Sequence, residues 1–267
     1  MWTLSKRSRQ MASHAQLESA ILERTAELQV LSQRLLRVQD EERRKLARDL
    51  HDSSGQTLAA LKISTSFLQD ACKQDSTLHG LACEIATLAD RAIDEIRTTA
   101  YLLHPPLLDE VGFRCAAEWY VEGFAKRSGI KVALDLATER ERLPMRMEVA
   151  FFRVLQESLT NAYRHSGASR ISVRFQCQSE TVILEVRDSG CGIPAERLIR
   201  LRLASAETGV GMAGMRERLN ELNGMLEIES DGHGTSIRAT VPRPKSTAAR
   251  LPELRGCGQF DSSAAAG

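Results

Sequence analysis

A histidine, a carboxylate and an amide lie close together in a segment whose pattern predicts a helix. His51 is followed directly by Asp52, and Gln56 comes four residues after Asp52. A carboxylate beside an imidazole can hold the tautomer whose other nitrogen is a free nucleophile, and it can take up the proton released on attack. The helical neighbours of His51 are mostly small: Ala47, Arg48, Ser54 and Gly55. These residues indicate an accessible nucleophilic histidine, and a surface histidine in a charged helix is the alternative.

A second polar group lies in the segment Pro144–His165, which predicts a helix. Glu157, Asn161 and His165 follow one another at intervals of four residues, and Arg164 lies beside them. A carboxylate, an amide and cations on one stripe suit a hydrated Mg²⁺ and a polyphosphate, because Mg²⁺ keeps most of its waters and takes few protein ligands. The alternative is an ordinary solvated helix face.

Glycine-rich segments follow in a fixed order. They are Asp188-Ser189-Gly190-Cys191-Gly192, Gly209-Val210-Gly211-Met212-Ala213-Gly214-Met215 and Gly232-His233-Gly234-Thr235. Glycines let a backbone turn tightly against a ligand, an aspartate can accept a hydrogen bond from an exocyclic amine, and a helix N-terminus offers free N–H groups to phosphate. The first and the third segment, each taken alone, also fit a simple turn. The second is not a dinucleotide-binding fingerprint, because no βαβ unit with an acidic residue about 20 positions further on follows it.

The histidine segment belongs to a predicted helical hairpin. One apolar stripe includes Leu46, Leu50, Leu61 and Leu68, and a second, after a polar break at 73–77, runs from Leu78 through Leu81, Ile85, Leu88 and Ile96 to Leu103. Such narrow stripes would leave apolar surface wet in a lone hairpin, so we expect two hairpins to pair as a dimeric four-helix bundle. Residues 1–36 carry a seam typical of a coiled-coil lead-in.

The chain changes character after the hairpin. Pro105-Pro106 cannot continue the helix, so the hairpin domain is predicted at 37–104 and a linker at 105–114. Alternating apolar residues predict five strands, near 131–136, 171–177, 182–186, 226–229 and 236–241. With helices at 144–165 and 212–222, residues 115–243 are predicted to form an α+β sandwich, and residues 244–267 a disordered tail.

Composition excludes several classes of protein. The 36 Lys and Arg residues balance 35 Asp and Glu residues, which argues against a basic nucleic-acid clamp. The run Arg43-Arg44-Lys45 has acidic partners at helical spacing, so direct nucleic-acid binding is not expected. No apolar run is long enough for a membrane span, and the six cysteines show no metal-site spacing.

The string Glu42–Gln56, ending in Leu-His-Asp-x-x-x-Gln, resembles the phosphoacceptor motif of sensor histidine kinases that pair with NarL-type response regulators. The resemblance implies that His51 is autophosphorylated, that Asp52 acts as its general base, and that Gln56 helps to place a water for dephosphorylation of the regulator. The downstream Leu103-His104-Pro105-Pro106-Leu107-Leu108 is similar to the end of the family's second bundle helix, although arginine is more usual where His104 stands.

The ordered motifs of the second half resemble the GHKL-type (Bergerat) ATP-binding fold shared by gyrase, MutL, heat-shock chaperones and histidine kinases. By that resemblance Asn161 coordinates Mg²⁺, Asp188 binds the adenine amine, and Glu157 stands where the related ATPases place a catalytic base. Residues 193–208 would form a short ATP lid. The remaining implied nucleotide-site residues are Arg164, His165, Gly190, Gly192, Gly209, Gly211, Gly214, Gly234 and Thr235.

Together the resemblances imply a homodimeric, ATP-dependent protein-histidine kinase that uses Mg²⁺. It would pass its phosphoryl group to an aspartate of a NarL-type regulator with a helix-turn-helix output, and would also dephosphorylate that regulator. The expected location is the cytoplasm, with a membrane connection only if a longer natural product carries an anchor. The alternatives are a GHKL-type ATPase that uses Glu157 on water, and a nucleotide-binding dimeric scaffold without kinase activity.

Overall fold

The computed structural model describes residues 2–136, 142–202 and 210–243. Of these, the residues up to Glu41 form one compact unit and the residues from Glu42 onward form a second. The helix α1 (Trp2–Asp49) supplies all the described residues of the first unit, where Ile21, Leu28, Leu31 and Leu35 are exposed as an apolar series. This spacing matches the predicted coiled-coil seam.

The second unit opens with a helical hairpin. A π-helical turn, Leu50–Ser54, follows α1 and leads into α2 (Gly55–Ala71), and α3 (Ser76–Leu103) returns antiparallel to α2. Asp75 caps α3, because its side chain accepts hydrogen bonds from the N–H groups of Thr77 and Leu78 at 3.0 and 3.1 Å. The predicted hairpin and its polar break are confirmed.

Small residues fill the seam between α2 and α3, while large ones lie outside it. Thr65, Ala82, Ala89 and Ala100 are buried. The predicted stripe, by contrast, is exposed in the single chain at Leu61, Leu68, Leu78, Leu81, Ile85 and Leu88. The hairpin therefore packs closely within itself but leaves its main apolar face uncovered.

Three helices follow the hairpin, two before the first strand of the sheet and one after it. They are α4 (Pro106–Glu110), α5 (Phe113–Ser128) and α6 (Met145–Asn161). The predicted linker thus contains a short helix, and α5 was not predicted although its apolar spacing is helical. A second π-helical turn, Ala162–Ser166, extends α6.

A mixed sheet carries these helices on one face. Its strands are β1 (Lys131–Leu136), β2 (Arg170–Cys177), β3 (Thr181–Asp188), β4 (Met225–Asp231) and β5 (Gly234–Pro242), in the order β1-β2-β3-β5-β4. Only β1 and β2 pair in parallel within this sheet. The helices α7 (Ala195–Arg202) and α8 (Val210–Asn220) lie in sequence between β3 and β4. The predicted α+β sandwich is confirmed.

The two faces of the sheet differ in character. One face contributes Val173, Phe175, Leu184, Ile237 and Ala239 to a core shared with α5 and α6. The other carries a row of alternating charges across all five strands, formed by the partners Asp135, Arg174, Glu185, Arg238 and Glu227. This second face, the open face of the sheet, is therefore polar. A binding site can still form at the ends of the strands.

Candidate functional site

The backbone around Asp188 is fixed by its own side chain and by the end of α6. Asp188 ends β3 and is 9% exposed, and its Oδ1 accepts a hydrogen bond from the N–H of Gly190 at 2.8 Å. Among the described residues, Oδ2 has no recorded partner. Gly190 passes so close to the backbone of Ser166 that an added Cβ would collide with the Ser166 carbonyl oxygen, and the N–H of Cys191 donates to that oxygen at 2.9 Å. Glycine is required here by close approach of two backbones.

The turn between β4 and β5 packs against the same segment around Asp188. Gly234 has φ +146°, and a Cβ there would collide with the carbonyl oxygen of Asp188. Gly192 has φ +72°, and a Cβ there would collide with the carbonyl oxygen of Asp231. These contacts bring the predicted Asp188, Gly190, Gly192, Gly234 and Thr235 together at one edge of the sheet.

Ser230 is a residue of this region that the sequence analysis missed. Its hydroxyl donates to the carbonyl oxygen of Gly234 at 2.8 Å and accepts from the N–H of Ile193 at 2.7 Å. It also lies 3.1 Å from the hydroxyl of Thr235, which is its cross-strand partner. Ser230 thus links the two glycine segments, but it stands outside every motif, so only the pairing of β4 with β5 reveals it.

Glu157, Asn161 and Gly211 form a second cluster, at the N-terminus of α8. The Asn161 side-chain amide donates to Glu157 Oε1 at 3.2 Å. Gly211 packs against the Glu157 carboxyl group, with which an added Cβ would collide. Since the amide nitrogen of Asn161 faces Glu157, its oxygen is the atom left for a cation, and a side-chain oxygen fits Mg²⁺.

The other predicted nucleotide-site residues that the structure describes lie outside these two clusters. Arg164 and His165 lie in the π-helical turn and are exposed, with no side-chain hydrogen bond or ion pair recorded among the described residues. The predicted stripe of four-residue intervals therefore stops at Asn161, because the wider turn rotates position 165 away from α-helical spacing. Gly214 is buried within α8. Gly209 and lid residues 203–208 lie outside the described residues.

The phosphoacceptor candidate coincides with the other π-helical turn. The N–H of Gly55 donates to the carbonyl oxygen of Leu50, five residues earlier, so the α-helical neighbours expected for His51 do not apply within 50–54. Asp52 lies in this turn and Gln56 follows in α2, and both are exposed. They belong to the hairpin, so the structure groups His51, Asp52 and Gln56 separately from the glycine segments.

The junction between the hairpin and the sheet domain contains buried titratable groups. His104 is 3% exposed, and its Nε2–H donates to Asp109 Oδ1 at 3.0 Å, while desolvation by burial lowers the pKa of His104. Glu148 is 2% exposed, and burial raises its pKa to about 7 in spite of Arg142 beside it. Neither Asp109 nor Glu148 was predicted as a site residue.

Two family models match the chain. Residues 42–108 match the model described as "Histidine kinase", and residues 147–245 match the model described as "Histidine kinase-, DNA gyrase B-, and HSP90-like ATPase". The first match contains the His51 motif, and the second contains both clusters described above. The two matches together give the domain architecture of the sensor histidine kinases that pair with NarL-type regulators, a phosphoacceptor segment followed by an ATP-binding segment.

Curated relatives agree with this assignment. The sensor histidine kinase MctS of Rhizobium johnstonii is 31% identical over 217 residues, which are 81% of this chain and 46% of that protein. The signal transduction histidine-protein kinase/phosphatase DegS of Brevibacillus brevis is 30% identical over 225 residues, or 83% of this chain and 56% of that protein. The sensor histidine kinase LiaS of Bacillus subtilis is 29% identical over 95% of this chain and 67% of that protein. The chain thus spans about half the length of the first two.

Among the described residues, no helix combines the length and the apolar character that a membrane crossing requires. The same residues contain no group of three or more His, Cys, Asp or Glu side chains arranged to hold a metal ion.

Proposed function

We propose that this chain is an ATP-dependent protein-histidine kinase that phosphorylates its own His51 and passes the phosphoryl group to an aspartate of a NarL-type response regulator. The observation that carries the proposal is the order of the two matched domains, a phosphoacceptor hairpin followed by an ATP-binding domain. A GHKL-type ATPase without a histidine substrate has no need of the Leu-His-Asp-x-x-x-Gln segment.

In the proposed reaction the ATP-binding domain holds and orients the nucleotide. Asp188 accepts from the adenine amine through the oxygen that Gly190 leaves available, and Asn161 supplies a side-chain oxygen to Mg²⁺. When held there, Mg²⁺ would supply the positive charge that offsets the charge of the transferred phosphoryl group. The close packing of Gly211 on Glu157 keeps the start of α8 beside this cluster, where its N–H groups can face phosphate.

On the hairpin, a neutral His51 nitrogen attacks the γ-phosphorus, the bond to the leaving ADP oxygen breaks, and Asp52 takes up the imidazole proton. Gln56, one turn further on, places a water for the reverse function, dephosphorylation of the regulator. The ATP-binding domain reaches His51 by moving about the segment near Pro105-Pro106.

The proposed assembly is a homodimer. The exposed stripe of Leu61, Leu68, Leu78, Leu81, Ile85 and Leu88 supports it, because a second copy of the hairpin would bury this surface in a four-helix bundle. We place the reaction in the cytoplasm, where ATP and response regulators occur. If the natural product is longer and carries an anchor, this chain would be its cytoplasmic part.

The test is phosphorylation of the purified chain with labelled ATP and Mg²⁺. We expect acid-labile, alkali-stable label that is absent from His51→Ala and retained in His79→Ala, a control histidine near the opposite end of the same hairpin. Asp52→Asn should slow labelling, whereas Gln56→Ala should keep labelling and lose phosphatase activity on the regulator. Full labelling of His51→Ala would refute the assignment of the phosphoacceptor. ATP hydrolysis without phosphohistidine would favour the ATPase alternative, and binding without either reaction would favour the scaffold.

A further inference from the structure

Asp109 joins the helix that leads to His51 with the linker helix α4. Its Oδ2 accepts from Arg44 Nε at 2.8 Å across 65 residues of sequence, and its Oδ1 accepts from His104 Nε2 at 3.0 Å. The side chains of Asp109 and His104 are 21% and 4% exposed. Desolvation lowers the pKa of His104 and so favours the neutral imidazole, which makes Arg44 the cation that balances the Asp109 carboxylate.

The backbone of Asp109 is tied to the ATP-binding domain. Arg142 Nη2 donates to the carbonyl oxygens of Asp109 and Leu108 at 2.6 and 2.7 Å. Arg142 in turn pairs with Glu148 of α6, with Nε 3.4 Å from Oε2. A continuous polar path therefore runs from α1 through Asp109 to α6.

The helix α6 also forms direct hydrogen bonds with the end of the hairpin. The side chain of Arg153 donates from Nη2 to the carbonyl oxygen of Leu103 at 3.0 Å, and the Gln156 side chain donates to that of Leu102 at 3.0 Å. These carbonyls belong to the last turn of α3, where a helix lacks its own donors. Since α6 also carries Glu157 and Asn161, the helix of the ATP site is held to the hairpin at two places.

Arg44 precedes His51 by seven residues, a rise of about 10 Å along a helix. An ion pair at that distance fixes the direction in which the phosphoacceptor segment leaves the junction, without touching the reacting atoms. In-line transfer is sensitive to misplacement of about 1 Å.

We propose that Asp109 and Arg44 are positioning residues for phosphoryl transfer to His51. The inference rests on the proposed kinase function. It requires that loss of the pair slow the transfer step while nucleotide binding at the other end of α6 stays intact.

The experiment measures the initial rate of His51 phosphorylation in the full chain as a function of ATP concentration. We expect Asp109→Asn and Arg44→Met each to lower the rate at saturating ATP about tenfold, with the KM for ATP within about twofold of the parent. Arg44→Lys keeps the charge and should recover most of the rate. The matched control is Asp90→Asn, which removes the pair of Asp90 with Lys62 at 2.8 Å inside the hairpin and should leave the rate unchanged.

Several results would overturn the proposal. Unchanged or faster transfer in both variants would show that the pair does not position His51. Parallel losses of rate, ATP affinity and thermal stability, with no recovery in Arg44→Lys, would make the pair merely structural. If the parent chain is labelled normally and the variants are unaffected, only this inference is refuted. If the parent chain is never labelled, the proposed function and this inference are refuted together.

Discussion

The ATP-binding domain and the helical hairpin differ in where they place their large apolar side chains. The sheet domain encloses its large side chains, so that Phe151, Leu155, Leu159 and Leu184 have essentially no exposed surface. The hairpin buries alanine and threonine in its seam and leaves its leucines outside. One domain therefore completes its core with its own chain, and the other needs a partner to do so.

The two domains also differ in how their functional residues are held. At the proposed nucleotide site, backbones approach so closely that glycine is required at several positions. At the phosphoacceptor segment, Asp52 and Gln56 are exposed, and the wide turn at 50–54 departs from regular helix. One site is thus defined by close backbone packing and the other by side chains that face solvent, and the four predictions below test this contrast from the largest expected effect to the smallest.

Gly234→Ala should have the largest effect, because it combines a positive φ of 146° with a collision against the Asp188 carbonyl oxygen. We expect the free energy of unfolding of the ATP-binding domain to fall by about 4 kcal/mol, and ATP binding to weaken with it. Gly232→Ala in the same turn is the control, since a Cβ there meets nothing within 4 Å. Denaturant titration measures both. Equal losses in the two variants would contradict the close-approach argument.

The double substitution Leu81→Asp and Leu88→Asp should disrupt the proposed dimer. Both leucines lie on the predicted stripe and are 53% and 55% exposed in the single chain. Burying two carboxylates in a bundle should raise the dimer Kd about a hundredfold or more, or about 3 kcal/mol, while the monomer stays folded.

The matched control for the dimer is Ile63→Asp with Phe67→Asp. These apolar residues lie outside the stripe and are somewhat more exposed, at 59% and 71%. Sedimentation equilibrium compares the two double variants. If the control dissociates the dimer as strongly, or if neither variant does, the assigned bundle face is wrong.

Glu148→Gln should change the pH dependence of stability rather than the fold. Burial raises the pKa of Glu148 from 4.5 to about 7, so the native state holds its proton more tightly than the unfolded state does. This contribution is present below pH 4.5 and is lost as the pH rises from 4.5 through about 7, at a cost on the order of 3 kcal/mol by pH 8.

The glutamine variant mimics the protonated acid and should remove that loss. His104 acts in the opposite direction, because its lowered pKa favours the native state as the pH rises through its ordinary value of 6.5, and it is present in both proteins. The difference in unfolding free energy between parent and variant, measured at pH 5 and pH 8, therefore isolates Glu148. A difference that does not change with pH would contradict the prediction.

Arg174→Ala on the open face of the sheet should have the smallest effect. Arg174 lies 3.3 Å from Asp135 and 3.9 Å from Glu185, but more than half of its side chain is exposed. Solvent-exposed pairs of this kind contribute less than about 1 kcal/mol, and less at high salt. Thermal unfolding at low and high salt measures the contribution, and a loss of several kcal/mol would show that the charge row is a structural element of the domain.

Much of this architecture could be predicted from local patterns. The five strands lie within two residues of their predicted bounds because alternating apolar residues report a half-buried strand directly. The hairpin break and the helix before Asn161 are marked by capping and proline signals. The helix Phe113–Ser128 had the same kind of signal, with glycines at 112 and 129 on either side, and was overlooked.

Other features could not be predicted, because they depend on contacts between distant residues. The π-helical turns at 50–54 and 162–166 carry no local signature and alter the spacing on which the neighbours of His51 and the position of His165 were predicted. Ser230 acquires its partners only because β4 and β5 pair.

The sequence by itself predicted the order of the modules, the proposed acceptor motif around His51 and the glycines proposed for the nucleotide site. These are local properties, since residue type and spacing record the demands of backbone geometry. Only the tertiary structure decided why four of these glycines are needed, which carboxylates are buried, and that Arg44, Asp109 and Arg142 connect the hairpin with α6. Those outcomes depend on burial and on distances of a few ångströms between groups far apart in the chain, and no local pattern specifies them.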